Sequence, residues 1–328
     1  MFKFLLPLLV LTLSAPGLAK ETLTVYTPSS FASEWGPGPA IKQAFEKECN
    51  CNVTILGVSD GAAMLSRLRM EGKNSPADVV LGLDNNLVAT AVASGLFAKH
   101  QQDTTVLTVP NDWQNPYFIP YDYGYFAFIY NKEKIANPPE SLSELLDSQE
   151  KWSVVYQDPR TSTPGLGLLM WMKSVYGDKS DEAWKKLAKK TKTVTKGWSE
   201  AYNLFLKGET DFVLSYTTSP AYHIIDEKDT RYAATMFKEG HYLQIELAGK
   251  LANSQHPELA DQFMRFVTTK TFQQETAMKN WMYPVIALDL PQGFADLPKP
   301  AKSLEFSAQE IEKNRTQWVR QWQSAVVF

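Results

Sequence analysis

The sequence predicts an α/β fold in two lobes, with a cleft between them bridged by two crossing strands. Three observations carry that prediction. Strand-like and helix-like patterns alternate along the chain, which means a parallel sheet with helices on both faces. Two runs, Phe118 to Asn131 and His241 to Leu251, read as unusually long strands, longer than the usual five or six residues, and suit segments that leave one lobe for the other. The 328 residues, at about 150 per domain, suggest two domains.

The first residues read as an address. Lys3 is a basic start, Phe4 to Leu13 is an apolar run, and Gly17-Leu18-Ala19 is a small-x-small cleavage site. This is the pattern of a secretory signal peptide cut after Ala19. The apolar run is shorter than the ~20 residues a spanning helix needs, and no cysteine follows the cut as a lipoprotein requires. The expected mature protein starts at Lys20 and is soluble outside the cytoplasm.

The alternation then begins. Leu23 to Thr27 is a β-rich run, and Pro39 opens a helix with Ile41, Ala44 and Phe45 on one face. Asn52 to Val58 is the next strand. Asp60 stands in an N-cap position before AAMLSRLRMEG. Ala77 to Leu83 is a third strand, followed by a helix ending at Gly95. After the first long run, Ser141 and Glu144 have capping-box spacing before LSELLDSQEKW. SVVYQDP reads as a strand and PGLGLLMWMKSVYG as a helix. DEAWKKLAKKTK, GWSEAYNLFLKGE, DFVLSYTT and SPAYHIIDEK continue the alternation. After the second long run, HPELADQFMRFVTTKTFQQETAM reads as helical, and SAQEIEKNRTQWVRQWQSAV as a C-terminal amphipathic helix. The expected organisation is a leader over 1–19, one lobe of 20–121 with 247–296, and a second of 122–246 with 297–328. Closure of such lobes about a hinge suits ligand capture.

Composition excludes some roles. The chain is 44% hydrophobic and 21% charged, ordinary for a globular protein, and its net charge of -3 gives no basic footprint for nucleic acid. Cys49 and Cys51 are the only cysteines. They fit a local disulfide or two free thiols, and less readily a metal site, which needs more ligands. There is no H-E-x-x-H and no G-x-S-x-G. Gly36-Pro37-Gly38 and Gly165-Leu166-Gly167 lack the third glycine of a dinucleotide fingerprint, and Gly72-Lys73 lacks the upstream glycine of a P-loop. His100, His223, His241 and His256 show no ligand spacing. No catalytic residue, cofactor or metal is expected.

What is present is a set of helix starts with hydroxyls beside aromatics or proline. Ser29 and Ser30 precede Phe31, Ser162 and Thr163 precede Pro164, Trp198 precedes Ser199, and Tyr216, Thr217, Thr218 and Ser219 precede Pro220. Each alone is explained by capping. Together they matter, because ligands of parallel α/β lobes bind beyond the carboxyl ends of strands, where helix N-termini point. Thr161, Ser162, Thr163 and Gly165 have the composition of an anion cradle. Trp198 and Trp281, flanked by turn residues, are better cleft candidates than the core aromatics. Asp60 and Asp122 are candidate counter-charges. An aromatic box with carboxylates attracts flat cations, and the set fits a flat cation with phosphate, a polyamine or a cationic amino acid.

The stretches LTVYTPSSFASEWGPGP, RLRMEGKNSPADVVLGLDNN, YDYGYFAFIYNKEK, VVYQDPRTSTPGLGLL, TVTKGWSEAYNLFLKGE, VLSYTTSPAYH and NWMYPV resemble the periplasmic thiamine-binding proteins of Gram-negative bacteria. The resemblance runs the length of the chain. It implies the two-lobe periplasmic-binding-protein fold of type II-like form, with two hinge crossings and the ligand between the lobes. It implies a monomer that carries thiamine, thiamine monophosphate or thiamine pyrophosphate to the membrane permease of an ABC importer. It implies contacts from Asp60 and Gly61 on one lobe, and a phosphate-side pair, Ser162 and Thr163. It further implies ring and hydroxyl contacts from Trp198 and from Tyr216, Thr217, Thr218 and Ser219. Trp281 matches a stacking residue, with Tyr222 as its neighbour. One departure stands out: members carry Tyr-Asp after the first strand's Tyr-Thr, where this chain has Pro28-Ser29. An aromatic wall and an acid are absent at that point, which bears on affinity and on preference among thiamine forms.

Two rival readings belong beside this one. Thiamine-degrading enzymes share the scaffold and use a cysteine nucleophile, for which Cys49-Asn50-Cys51, between a helix and a strand, is a poor location. Ferric-binding relatives favour adjacent tyrosines, and Tyr216 and Tyr222 are not adjacent.

Overall fold

The computed structural model describes residues 20–326. The expected signal peptide lies outside the described residues. The first half of the chain forms β1 (Thr22–Thr27), α1 (Ser29–Ala32), α2 (Gly38–Cys49), β2 (Asn52–Gly57), α3 (Gly61–Glu71), β3 (Val79–Asp84) and α4 (Val88–Ala93). The long β4 (Phe118–Asn131) follows. Next come α5 (Leu142–Asp147), β5 (Val154–Gln157), α6 (Thr163–Tyr176), α7 (Ser180–Lys190), β6 (Thr191–Thr195) and α8 (Trp198–Leu206). They are followed by β7 (Phe212–Tyr216), α9 (Pro220–Ile225), β8 (Tyr232–Ala234) and the second long strand, β9 (His241–Lys250). The chain closes with α10 (Pro257–Phe266), α11 (Lys270–Lys279), β10 (Tyr283–Pro284), α12 (Gln292–Ala295), β11 (Ser303–Leu304) and α13 (Ala308–Ala325).

One sheet path runs β2-β1-β3-β9-β4-β7-β5-β6. Its outer parts are parallel, as alternation requires: β1 with β2 and β3, and β5 with β6 and β7. The two long strands are antiparallel to each other, β9 also to β3 and β4 also to β7. The sheet is therefore mixed, a correction to the parallel sheet expected from the alternation. The reason is that β4 and β9 carry the chain outward and back, so they must oppose one another. β4 pairs with β9 from Phe118↔Gly249 to Tyr125↔Leu243, then with β7 from Phe126↔Tyr216 to Ile129↔Val213. It links the β2-β1-β3 side of the sheet to the β7-β5-β6 side.

Burial explains the apolar runs. Leu23, Val25, Ile41, Phe45, Val53 and Val79 pack with Leu259, Phe263 and Phe272 in a core under the first lobe. In α6 every residue from Thr163 to Met172 is buried, because it packs against β5, β9 and α7. An all-apolar helix is stable only when covered all round. The C-terminal helix α13 starts at a full capping box, Ser307 with Glu310, and packs on α4, α6 and α7, touching elements of both lobes.

Three local expectations change. Ser141 caps α5 by accepting from Glu144 N, but the Glu144 carboxylate accepts from Glu140 N, and the helix ends at Asp147. The helical stretch after β9 breaks into α10 and α11, because Thr269 adopts extended backbone and caps Phe272 N. The strand β6 was hidden in the polar run TKTVT, where alternation is weak because it is a sheet edge.

Cys49 and Cys51 form a disulfide that ties the end of α2 to the start of β2, and no cysteine is free among the described residues. A loop this short removes little chain entropy. Replacing both by serine is expected to cost about 1–2 kcal/mol of stability, read as a lower denaturant midpoint. A loss of folding would contradict that reading.

Candidate functional site

A cavity of about 530 Å³ opens between the lobes. It is assembled from segments that follow the carboxyl ends of the strands: Pro28 to Phe31 after β1, Ser59 and Asp60 after β2, Thr163 after β5, Gly197 and Trp198 after β6, and Tyr216, Ser219 and Tyr222 after β7. Parallel α/β lobes present ligand sites at these ends, since the helix starts there supply free N–H groups.

Aromatic side chains make its walls. Trp198 donates from Nε1 to Ser215 Oγ at 2.8 Å and stacks on Tyr202 with centroids 4.8 Å apart. Behind it, the Tyr202 hydroxyl meets His223 Nε2 at 2.9 Å, and His223 Nδ1 meets Glu227 at 2.6 Å. Glu227 also accepts from Tyr222 Oη at 2.9 Å. Burial lowers the pKa of His223, and the neighbouring Glu227 opposes that shift. Trp281 meets Tyr222 edge to face at 5.7 Å and stacks on Phe294 at 6.4 Å. Its backbone has φ 57°. A bulky residue in the left-handed region costs about 1–3 kcal/mol, a strain that clusters at functional sites.

The walls include an aromatic that the sequence reading did not single out. Trp35 lines the cavity, is 56% exposed, and lies 6.4 Å from Trp198 across the cleft. It follows Pro28-Ser29 closely in the chain and supplies an aromatic on that side. Its flanking Gly36-Pro37-Gly38 turn was the signal that could have found it, by the criterion that selected Trp198 and Trp281.

The expected contacts divide. Asp60, Thr163, Trp198, Tyr216, Ser219, Tyr222 and Trp281 all line the cavity, and Gly61, Ser162, Thr217 and Thr218 do not. Asp60 is 5% exposed. Its carboxylate accepts from Gly61 N at 2.7 Å, from Ser162 Oγ at 2.6 Å and from Thr163 Oγ1 at 3.0 Å. It is both the α3 cap and a tie between the starts of α3 and α6, supported by Ala63 N donating to Thr161 O at 2.9 Å. Burial raises the Asp60 pKa, and the Ser162, Gly61 and Thr163 bonds oppose the rise. The anion cradle expected at Ser162 is thus occupied by the carboxylate of Asp60. Gly165 is packed against strand backbone, where a Cβ would strike Gln157 O. Gly61 serves close approach: a Cβ there would run into Gly82 O and Thr163 Cγ2. Thr217 and Thr218 are fully buried; Thr217 N donates to Tyr125 O at 2.8 Å, and the Thr218 hydroxyl faces Met282 Sδ at 3.7 Å. Asp122 is also buried and stands behind the lining, which is formed instead by Glu246.

Asp60→Ala is expected to destabilise the fold by about 1–3 kcal/mol, since it removes the cap and leaves two buried hydroxyls without their acceptor. An unchanged denaturation midpoint would show that the tie contributes nothing.

The cavity can hold a flat ring between aromatics, and its charged lining is mostly acidic: Asp60, Glu200, Asp226 and Glu246 against Lys279. This favours a cation. No group of three or more His, Cys, Asp or Glu among the described residues is arranged to hold a metal ion, and no described helix is long and apolar enough to cross a membrane.

Comparison with known proteins gives a consistent result. Residues 35–274 match the family described as bacterial extracellular solute-binding protein. The chain is 59% identical over 326 residues to the thiamine-binding periplasmic protein of Salmonella typhimurium, covering 99% of each. It is also 59% identical over 326 residues to that of Escherichia coli, again covering 99% of each. A solved structure described as a periplasmic thiamin binding protein superposes with TM-score 0.93 at 58% identity, over 94% of this chain and 97% of that one.

Proposed function

The chain belongs to the bacterial extracellular solute-binding protein family, and on that premise we propose that its cleft captures thiamine or a thiamine phosphate and delivers it to the permease of an ABC importer. The observation that carries the ligand class is the cavity itself. Four aromatics, Trp35, Trp198, Tyr222 and Trp281, surround a space whose charged lining is mainly acidic. Thiamine is two flat rings, one of them a permanent cation, and such a ligand gains from both stacking and cation–π contact. The 59% identity to thiamine-binding proteins over nearly the whole chain supports the same reading.

In this account the mechanism is capture without chemistry. The lobes, 20–121 with 247–296 and 122–246 with 297–328, part about β4 and β9 to admit ligand and then close on it. Trp198, Tyr222 and Trp281 hold the rings, with Tyr216 and Ser219 beside them. Asp60 occupies the start of α6, where the helix dipole favours an anion. A phosphate on the ligand takes that place by displacing Asp60 from Ser162 and Thr163, with Gly61 letting the backbone come close. The protein works as a monomer in the periplasm and leaves the ligand intact.

Calorimetric titration of ligand-free protein with thiamine, its monophosphate, its pyrophosphate and spermidine tests the reading, with mass analysis of each ligand afterwards. The expected result is tight binding of intact thiamine compounds and weak binding of spermidine. Spermidine binding alone would move the specificity to polyamines, and recovery of cleaved thiamine would make the protein an enzyme.

A further inference from the structure

Four carboxyl groups are buried around the hinge and cavity: Asp60, Asp84, Asp122 and Glu246. Among the described residues none of them takes part in an ion pair. Buried acids without basic partners are costly, so such groups are neutralised or wait for a charge. Their arrangement separates the two cases.

Asp122 of β4 and Glu246 of β9 are directly opposed in the ladder, beside the register irregularity between Pro120 and Asp122. Asp84 of β3 opposes Glu246 from the other side. Asp122 has no exposure and Glu246 is 8% exposed, facing the cavity. Glu246 Oε2 accepts from Tyr121 Oη at 2.9 Å and from Asn280 Nδ2 at 3.1 Å. The same Asn280 Nδ2 donates to Asp122 Oδ2 at 2.7 Å, while Asp122 Oδ1 has no hydrogen-bond partner. Donors therefore converge on Glu246, and Asp122 sits behind it with a single donor. Burial and the Glu246 charge push Asp122 well above the carboxylate range. Burial raises Glu246 to about 6, and its polar neighbours, Asp122 first and then Tyr121, oppose the rise.

We infer that Glu246, held by Tyr121 and Asn280 and opposed in the ladder by Asp122, is the counter-ion that selects a positively charged ring in the cleft. The assignment rests on the thiamine-class reading and adds to it the residue that distinguishes a cationic ring from a neutral one of the same shape. It carries a proton signature. In the free protein near pH 6 Glu246 is partly protonated. A cation beside it favours the ionised form, so binding releases a proton and affinity rises as pH increases through that range. The other groups facing it are Asp122 and Tyr121 of β4, Asp84 of β3, Asp60 at the start of α3 and Tyr216 of β7. Lys279 also lines the cavity, and Arg315 acts on Asp84.

The test is calorimetry near pH 6, in two buffers of different ionisation enthalpy. The ligands are thiamine and its analogue with a neutral thiophene in place of the thiazolium ring. The wild-type protein is expected to prefer thiamine by about tenfold or more and to release protons only with thiamine. Glu246→Gln is expected to remove most of that preference and the proton release, with a smaller change in affinity for the thiophene analogue than for thiamine. Asp122→Asn, which mimics the protonated acid, is expected to keep the preference. Preference and proton count unchanged in E246Q would overturn the assignment while leaving thiamine capture intact. Should E246Q fail to fold, equal wild-type affinities for the two rings would overturn it alone. Absence of binding by either ring would end both readings.

Discussion

Trp198→Ala is expected to weaken binding of thiamine by about 1–3 kcal/mol, the range for loss of one stacking platform. The side chain is fixed on three sides. Its ring lies on Tyr202, its Nε1 is tied to Ser215, and Trp35 approaches from the other lobe. Ser215 Oγ in turn meets Ser219 Oγ at 2.7 Å, and Ser219 Oγ accepts from Tyr216 N at 3.2 Å. The wall is thus preorganised, so little entropy is lost when a ring stacks on it. Titration of the variant at matched pH checks this. Affinity equal to wild type would remove Trp198 from the site, whatever binds there.

The larger effect on stability is expected at Trp171. Its side chain is fully buried in α6, stacks on Phe128 at 6.1 Å, lies 5.6 Å from Phe237, and donates from Nε1 to Gly240 O at 3.0 Å. Trp171→Ala removes the transfer free energy of the ring, opens a cavity and orphans the Gly240 carbonyl. The expected cost is about 3–5 kcal/mol, measured by denaturant unfolding. A cost below about 1 kcal/mol would mean that the core under β4 collapses readily to fill the space.

The fold was largely legible because its signals are local. The start of α3 at Asp60, the Pro-led starts of α6 and α9, and the long runs of β4 and β9 each follow from residues a few positions apart. What was not legible depends on partners distant in sequence. β6 is a strand only because β5 lies beside it. The antiparallel middle of the sheet depends on which way two crossing strands run, and composition carries no such information.

The site divides in the same way. Trp198, Trp281 and Asp60 carry turn or cap signals in the sequence, and they line the cavity. Ser162 carries an equally good signal, yet its hydroxyl is spent on Asp60, 102 positions away. Glu246 carries no signal at all. It sits inside the apolar run of β9, and only its register opposite Asp122 and Asp84 reveals that acids meet there.

One cavity receives the ligand's rings on aromatic walls in the proposed capture. A crystal structure of the protein grown with thiamine monophosphate tests it most directly. The rings are expected against Trp198, Tyr222 and Trp281, the cationic ring beside Glu246, and the phosphate at Ser162 and Thr163 in place of the Asp60 carboxylate. A ligand bound elsewhere, or a cleft left empty under saturating ligand, would contradict it.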